Sequence, residues 1–251
     1  MGNCAQTKEG VNPAPPIKKD PSSKPNAIVF ALMRNGHEVI RGNMKDIQEH
    51  LNAGQLDNAI NSYQKLHKWM NMHKLMEEGY DGEYSTSPKG LFAVLDEKFN
   101  GIAKEKGLRD CHSELEEIET KMSDTINNRN LDKLKTSFVE YMKLNEDHLE
   151  KEEAVMMPLV MKMTKSGVDM KRLMVDDILA LVIDSHDFQF FVEHANCILD
   201  KFSTDEKPKI RVFDHALRVC ASDEQWVIWK EWMKASIPEE TYNKVMSEID
   251  G

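Results

Sequence analysis

The chain has 251 residues, with 33 basic and 43 acidic side chains and a net charge of −10 when histidines are neutral. This acidic balance, without a long basic stripe, argues against a general nucleic-acid-binding function. Helix-forming residues dominate and no alternating apolar stretch persists, so we expect an all-α protein with a sizeable core.

Cysteine spacing and hydropathy indicate the cellular compartment in which the protein is expected. Cys4, Cys111, Cys197 and Cys220 show no C-x-x-C spacing, which predicts free thiols in a reducing compartment. The sequence has neither a transmembrane run nor a signal-peptide pattern. We therefore expect a cytoplasmic protein, and the composition leaves its oligomeric state open.

Residues 1–26 form a tail rich in proline and lysine, which predicts an extended linker. The start, MGNC, offers Gly2 for myristoylation and Cys4 for palmitoylation, two signals that together hold a protein at a membrane. The hydroxyl residue of the myristoylation motif comes one place late, at Thr7 instead of position six. An ordinary disordered start is the equally weighted alternative to peripheral attachment at the cytoplasmic face.

The first two predicted helices run from about Asn26 to Asn52 and from about Leu56 to Gly79. Apolar residues recur in each with alternating spacings of three and four, which marks the core-facing stripe of a helix. His37 lies on the first stripe, and His73 and Glu77 lie on the second. These polar residues are therefore predicted to point inward.

An unusually long connection, residues 80–107, separates the second helix from the third. Its first part, Tyr80 to Lys89, has the composition of a loop. The second part, Gly90 to Lys106, predicts one further short helix. A surface segment packed on the neighbouring helices is the default interpretation, and a lid over a site is the alternative.

The third predicted helix covers about Leu108 to Asn127, and the fourth about Leu131 to Thr164. His112 lies on the stripe of the third helix, and His148 and Glu152 lie on that of the fourth. Each of the four helices thus offers one inward histidine. An ionised carboxylate beside a buried imidazole is costly unless paired, and a bound metal is a common remedy.

The heights of the histidines predict that they meet. His37 lies 15 positions before Asn52 and His73 lies 17 after Leu56. At ~1.5 Å per residue, both are roughly 22 to 26 Å from the connecting turn. Because the third and fourth helices give the same values, an up-down-up-down four-helix bundle would place all four histidines in one layer.

The C-terminal part, residues 166–251, is predicted to be a helical extension that covers the bundle or mediates self-association. Its predicted helices are Met170 to Asp184, His186 to Lys201, Lys209 to Ala221, Asp223 to Ser236 and Pro238 to Ile249.

The ordered motifs resemble those of the hemerythrin-like, or HHE cation-binding, family. They are the lone His37, the hexapeptide HKLMEE at 73–78, His112, and the hexapeptide HLEKEE at 148–153. The resemblance covers a metal-binding unit over residues 27–165, with the connection at 80–107 as an insertion. It implies a four-helix bundle with two non-haem irons, bridged by carboxylates and an oxo or hydroxo group, and a small diatomic ligand such as O2.

The same resemblance implies roles for individual residues. His37 and His73 would hold one iron and His112 and His148 the other. Glu77 and Glu152 would bridge the two irons. The complete implied ligand set is His37, His73, Glu77, His112, Glu116, His148 and Glu152. Hard oxygen ligands also admit manganese or a mixed metal pair.

Two departures from the oxygen-carrying hemerythrins affect this set. The carriers have a second histidine one turn after the first in the third helix, where this chain has Glu116; a solvated surface residue is the alternative interpretation. In the fourth helix, the carriers' spacing of five points to Glu153. However, Glu152 is rotated about 40° from His148 and Glu153 about 140°, so the stripe favours Glu152.

A site with Glu116 as a third carboxylate would stabilise oxidised metal, which argues against simple oxygen carriage. We therefore predict a di-iron protein that binds or senses oxygen, nitric oxide or iron. The alternative is an oxidase or oxygenase that activates O2 on an organic substrate. A third interpretation is a membrane-tethered interaction protein whose histidines are satisfied core residues.

Overall fold

The computed structural model describes residues 28–80, 88–202 and 209–250. Within these ranges the chain forms helices and no strand, which confirms the predicted all-α class. None of the described helices has the length and apolar character needed to span a lipid bilayer. The predicted tail and its acylation sites lie outside the described residues.

Four helices of at least 20 residues dominate the first part of the fold. They are α1 (Ile28–Asn52), α2 (Leu56–Glu78), α5 (Leu108–Asn127) and α6 (Leu131–Lys165). Helix α1 packs against α2 and α6, and α5 packs against α6 and α2. The four helices therefore enclose a common interior.

The helical stripes predicted from the sequence are the buried faces of these helices. In α6, the buried residues of this stripe are spaced by four or three positions, and they become polar toward the middle of the helix. They are Leu134, Phe138, Tyr141, Asn145, His148 and Glu152. The side chain of Asn130 caps the start of α6 by accepting a hydrogen bond from the backbone N–H of Lys133 at 2.9 Å.

The connection between α2 and α5 contains two short helices, α3 (Leu91–Lys98) and α4 (Ile102–Glu105). The prediction of a single helix from Gly90 to Lys106 is therefore wrong. Asn100 and Gly101 have positive φ angles of 54° and 82°, which an α-helix cannot accommodate. They interrupt the helix and turn the chain.

The C-terminal elements continue without long connections among the described residues. They are α7 (Met170–Leu173), a π-helical turn (Met174–Ile178), α8 (Leu179–Asp184), α9 (Phe188–Lys201), α10 (Lys209–Cys220), α11 (Asp223–Ser236) and α12 (Glu239–Ile249). Helices α9 and α10 pack against α1, and α8 packs against α2. The indole of Trp69 stacks on Phe191 with ring centroids 4.8 Å apart. The C-terminal helices thus cover the α1 and α2 side of the interior.

Candidate metal centre

The structure brings four histidines from four different helices into one layer. His37 is on α1, His73 on α2, His112 on α5 and His148 on α6, and each is at most 5% exposed. Ring centroids are 5.4 Å apart for His37 and His73 and 4.7 Å apart for His112 and His148. The two pairs are joined by His73 and His148, whose centroids are 5.9 Å apart.

The carboxylate of Glu152 lies between these two pairs and is completely buried. Its Oε2 atom is 3.4 Å from Nε2 of His37 and 3.4 Å from Nε2 of His73. Its Oε1 atom is 3.2 Å from Nε2 of His148 and 3.8 Å from Nε2 of His112. One oxygen therefore faces each pair of imidazoles.

The carboxylate of Glu77 lies at the other junction of the cluster. Its Oε2 atom is 3.5 Å from Nε2 of His73 and 3.3 Å from Nε2 of His112. These histidines belong to different pairs, so Glu77 also links the two halves. Together the six residues form what we call the His/Glu cluster: His37, His73, Glu77, His112, His148 and Glu152.

Among the described residues, the atoms that face the interior of this cluster have no partner that meets hydrogen-bond geometry. This holds for Nε2 of all four histidines, both oxygens of Glu152 and Oε2 of Glu77. Each unsatisfied buried polar group costs about 1–3 kcal/mol, and more when charged. So many unsatisfied nitrogen and oxygen atoms around one point is a costly arrangement unless positive charge is bound there.

The spacing of these atoms suits a bound metal. Ligand atoms about 2.1 Å from an ion and 90–110° apart are separated by roughly 3.0–3.4 Å. The histidine-to-carboxylate distances in the cluster are 3.2–3.8 Å. One ligand atom from each residue of the cluster except His37 lies within 4.8 Å of the others. The cluster could hold a metal ion, and its donors are those that iron, manganese and zinc share.

The electrostatics of the cluster favour positive charge, either as protons on its imidazoles or as a bound cation. Burial lowers the pKa of His148 to about 3, so its imidazole is neutral and its lone pair is free to bind. Burial, together with the neighbouring Glu152, raises the pKa of Glu77 to about 7. Burial alone would raise the pKa of Glu152, but the surrounding imidazoles hold it well below its usual value. Two carboxylates in this space repel each other, and positive charge between them relieves that repulsion.

A further carboxylate orients His37 from the outside of the cluster. Nδ1 of His37 is hydrogen-bonded to Oε1 of Glu153 at 2.9 Å, and Arg41 donates to the same oxygen at 2.8 Å. Burial would raise the pKa of Glu153, but Arg41 and His37 more than offset this and lower it. This carboxylate-histidine arrangement fixes the ring and leaves Nε2 directed at the cluster.

His112 is held in the same way by Glu78. Nδ1 of His112 lies 2.6 Å from Oε1 of Glu78, and Arg109 is 3.9 Å from the other oxygen. Burial opposes protonation of His112, but Glu77 and Glu78 outweigh it and raise its pKa to about 10. Each lone histidine is thus oriented by the last residue of a hexapeptide on another helix.

Sequence reasoning missed this role for Glu78 and Glu153. The available signal was the doubled glutamate that ends both hexapeptides, HKLMEE and HLEKEE. The spacing of the motif presents Glu153 only as an alternative metal ligand to Glu152. The structure directs Glu152 into the cluster and Glu153 to the far side of His37, as the helical rotation predicts.

Glu116 is the one predicted ligand that the structure does not bring to the cluster. Its side chain is 58% exposed and forms an ion pair with Lys74. One turn after His112, it is displaced toward the solvent edge of α5, which is consistent with the surface alternative. The expectation that Glu116 is a ligand is corrected accordingly. Glu119 is also outside, with Oε2 3.5 Å from Nε2 of His67.

No protein-family model matches the chain, and no curated protein or solved structure matches it either. The hemerythrin-like family therefore stands as a resemblance of motifs. Any functional assignment has to rest on the His/Glu cluster itself.

Proposed function

We propose that this chain is a hemerythrin-like protein that binds two non-haem iron ions within an up-down-up-down bundle of α1, α2, α5 and α6. The supporting observation is the set of buried nitrogen and oxygen atoms that converge without hydrogen-bond partners. Satisfied core histidines, the competing interpretation, would not leave four Nε2 atoms and three carboxylate oxygens without a well-aligned hydrogen bond.

The division of ligands follows from the two faces of Glu152. His37 and His73 would hold one ion with Oε2, and His112 and His148 would hold the other with Oε1. Glu77 would be the second bridge, since it approaches one histidine of each pair. Manganese or a mixed pair fits the same donors.

The proposed activity is the binding or sensing of a small diatomic molecule, O2 or nitric oxide, or of iron itself. A metal pair supplies an open position for such a ligand and a change of oxidation state. The protein keeps the ions away from water and fixes His37 and His112 through Glu153 and Glu78. With Glu116 outside the cluster, the site lacks the third carboxylate that would argue against simple oxygen carriage.

Metal analysis with optical spectroscopy tests the proposal. Protein purified under iron-replete conditions should contain about two metal ions per chain. Its visible spectrum should change when O2 or nitric oxide is added to the reduced protein. Metal-free protein that is fully folded, and that takes up no iron or manganese on titration, would contradict the proposal.

The alternative, an oxidase or oxygenase, is favoured by one observation. An apolar pocket reaches the His/Glu cluster at His73 and Glu77. Oxygen consumption that requires both a reductant and an apolar organic compound would support this activity. Oxygen uptake that is unaffected by any such compound would favour binding or sensing.

A further inference from the structure

Among the described residues that line the pocket beside the cluster, all are apolar apart from two. These two are His73 and Glu77, both members of the His/Glu cluster. The other lining residues come from α1, α2, α3, α8, α9 and the π-helical turn, and they are aliphatic, thioether or aromatic residues and a glycine. A molecule in this pocket would touch hydrocarbon on its sides and the cluster at its inner end.

The C-terminal helices contribute to the lining. Met174 and Ile178, at the two ends of the π-helical turn, line the pocket together with Phe191 of α9. Short π-helical segments are frequent at functional sites. Met33 and Met76 complete the rim with flexible thioether chains, which adapt to ligands of different shape.

Gly36 explains why this space is open. It lies inside α1, directly before His37, and it lines the pocket. A Cβ atom added to Gly36 would meet nothing within 4 Å. Glycine inside a helix costs roughly 0.5–1 kcal/mol relative to alanine. Gly36 therefore lowers the stability of α1, although the packing around it leaves room for an alanine.

Gly42 in the same helix provides the contrast. A Cβ atom there would lie 2.5 Å from a side-chain carbon of Ile198, so the close approach of α9 explains this glycine. No such neighbour explains Gly36. What its missing side chain does preserve is the empty volume next to the cluster.

The size of the pocket indicates what it can hold. The volume of the pocket is about 50 Å³, whereas one water molecule needs only ~10–15 Å³ by the same measure. This is more room than a diatomic molecule uses. Water gains little in a space with so few polar partners, so an apolar group is the better occupant.

We propose that this pocket binds the alkyl end of a small organic molecule against the His73 and Glu77 side of the cluster, and that Gly36 keeps it open. The polar part of the molecule would remain at the outer opening. The contact with a metal centre rests on the proposed function; the binding itself does not. The pocket thereby gives the site an organic ligand in addition to a diatomic one.

Titration of the full-length protein with linear alcohols tests the inference. Isothermal calorimetry should show saturable binding that tightens from 1-propanol to 1-hexanol, with a negative heat-capacity change. Gly36→Leu fills the space from α1 and should weaken 1-hexanol binding at least ~10-fold, which is about 1.4 kcal/mol. Gly36→Ala should weaken it less, and it should fold well because alanine favours helix.

A second variant keeps the test valid if Gly36→Leu does not fold. Met174→Phe fills the pocket from the opposite wall and should also weaken 1-hexanol binding. Its control is Met161→Phe, at a position in α6 that is 47% exposed and outside the pocket. This control should bind 1-hexanol like the unmodified protein.

The outcomes separate the two proposals. Absence of saturable alcohol binding, or equal binding by folded Gly36→Leu, would overturn the pocket inference. Uptake of xenon without any alcohol binding would also overturn it, because the space would then admit only gases. Alcohol binding by a protein that takes up no metal would support the pocket while refuting the proposed function.

Discussion

Two buried histidines in this protein have opposite surroundings. His194 in α9 is 7% exposed, its Nε2 is 3.0 Å from the amide oxygen of Asn43, and its ring stacks on Phe190. His73 in α2 is 5% exposed, and its Nε2 has no hydrogen-bond partner. A structural histidine is paired with an amide, whereas the histidines of the cluster surround a space suited to a cation.

The buried carboxylates of the two regions differ in the same way. Asp214 in α10 is completely buried and accepts a hydrogen bond from Asn196 at 3.0 Å. Burial raises its pKa to about 8, so it is largely neutral at pH 7. Glu152, equally buried, keeps a lowered pKa because imidazoles surround it. The C-terminal region thus tolerates a buried acid by neutralising it, and the cluster does so by collecting potential ligands.

We expect the largest effect on metal binding from the substitution Glu152→Gln. Because both oxygens of Glu152 face the cluster, the variant should lose most bound metal while keeping its shape. Chelation should lower the melting temperature of the unmodified protein by roughly 8–16 °C, taking ~4 kcal/mol of binding energy and ~2–4 °C per kcal/mol. The variant should show little change on chelation in differential scanning calorimetry.

Asp214→Asn is the matched control for that experiment, since it replaces an equally buried carboxyl group outside the cluster. It should retain the full metal content and the full response to chelator. Equal metal loss in both variants would mean that changing any buried carboxyl group, and not only one in the His/Glu cluster, disrupts metal binding.

Asp214→Asn should also change how the free energy of unfolding depends on pH. The folded-state pKa of about 8 is above the unfolded value of 3.8, so the folded state binds the proton more tightly. Stability should therefore fall as pH rises from about 5 to 8, by up to ~1.4 kcal/mol per pH unit. The variant should lack this slope and gain roughly 2–4 kcal/mol at pH 7, measured by denaturant unfolding with metal held constant.

Chelated protein separates this slope from metal linkage, because metal affinity also depends on pH. If the unmodified protein and the variant have parallel pH profiles in chelator, Asp214 is ionised in the folded state. Asp214 and Glu152 would then both be ionised, and the proposed difference between them would be wrong.

Much of the cluster could be predicted from the sequence, because helical periodicity fixes both direction and height. His37 and His73 lie at similar distances from the turn joining α1 and α2, and His112 and His148 do so around the next turn. These distances depend only on the rise per residue. Side chains on the buried stripe of a helix at equal heights meet wherever the helices pack together.

The surroundings of the cluster could not be predicted in this way. The role of Glu153 depends on how closely α6 approaches α1, and that of Glu78 on the approach of α2 to α5. Such distances are set by packing between helices and leave no trace in periodicity. The break at Asn100 and Gly101 was missed because apolar spacing does not reveal a positive φ angle.

The outer carboxylates offer a finer test of the cluster. Glu153→Gln removes the charge that holds Nδ1 of His37, so metal affinity should fall by ~10–100-fold, or about 1.4–2.7 kcal/mol. Glu78→Gln should act similarly through His112. Competition with a chelator of known affinity measures both. Neither variant should abolish binding, because neither residue faces the interior.

Glu146→Gln is the control for Glu153→Gln. Glu146 also binds Arg41, at 2.8 Å, but no contact joins it to a histidine of the cluster. Its substitution should leave metal affinity within about 2-fold, since an exposed ion pair is worth ~0–1 kcal/mol. A loss as large as that of Glu153→Gln would indicate that Arg41, and not the bond to His37, carries the effect.

The smallest expected effect is that of Glu116→Gln. Glu116 is exposed and paired with Lys74, so stability should change by less than ~0.5 kcal/mol and metal content should stay the same. Loss of one metal ion in this variant would show that Glu116 leaves Lys74 and turns inward when metal binds. Lys74→Ala distinguishes these cases, because freeing Glu116 should raise metal affinity only if Glu116 is a ligand. An unchanged affinity in both variants would limit the metal-binding carboxylates of the cluster to Glu77 and Glu152.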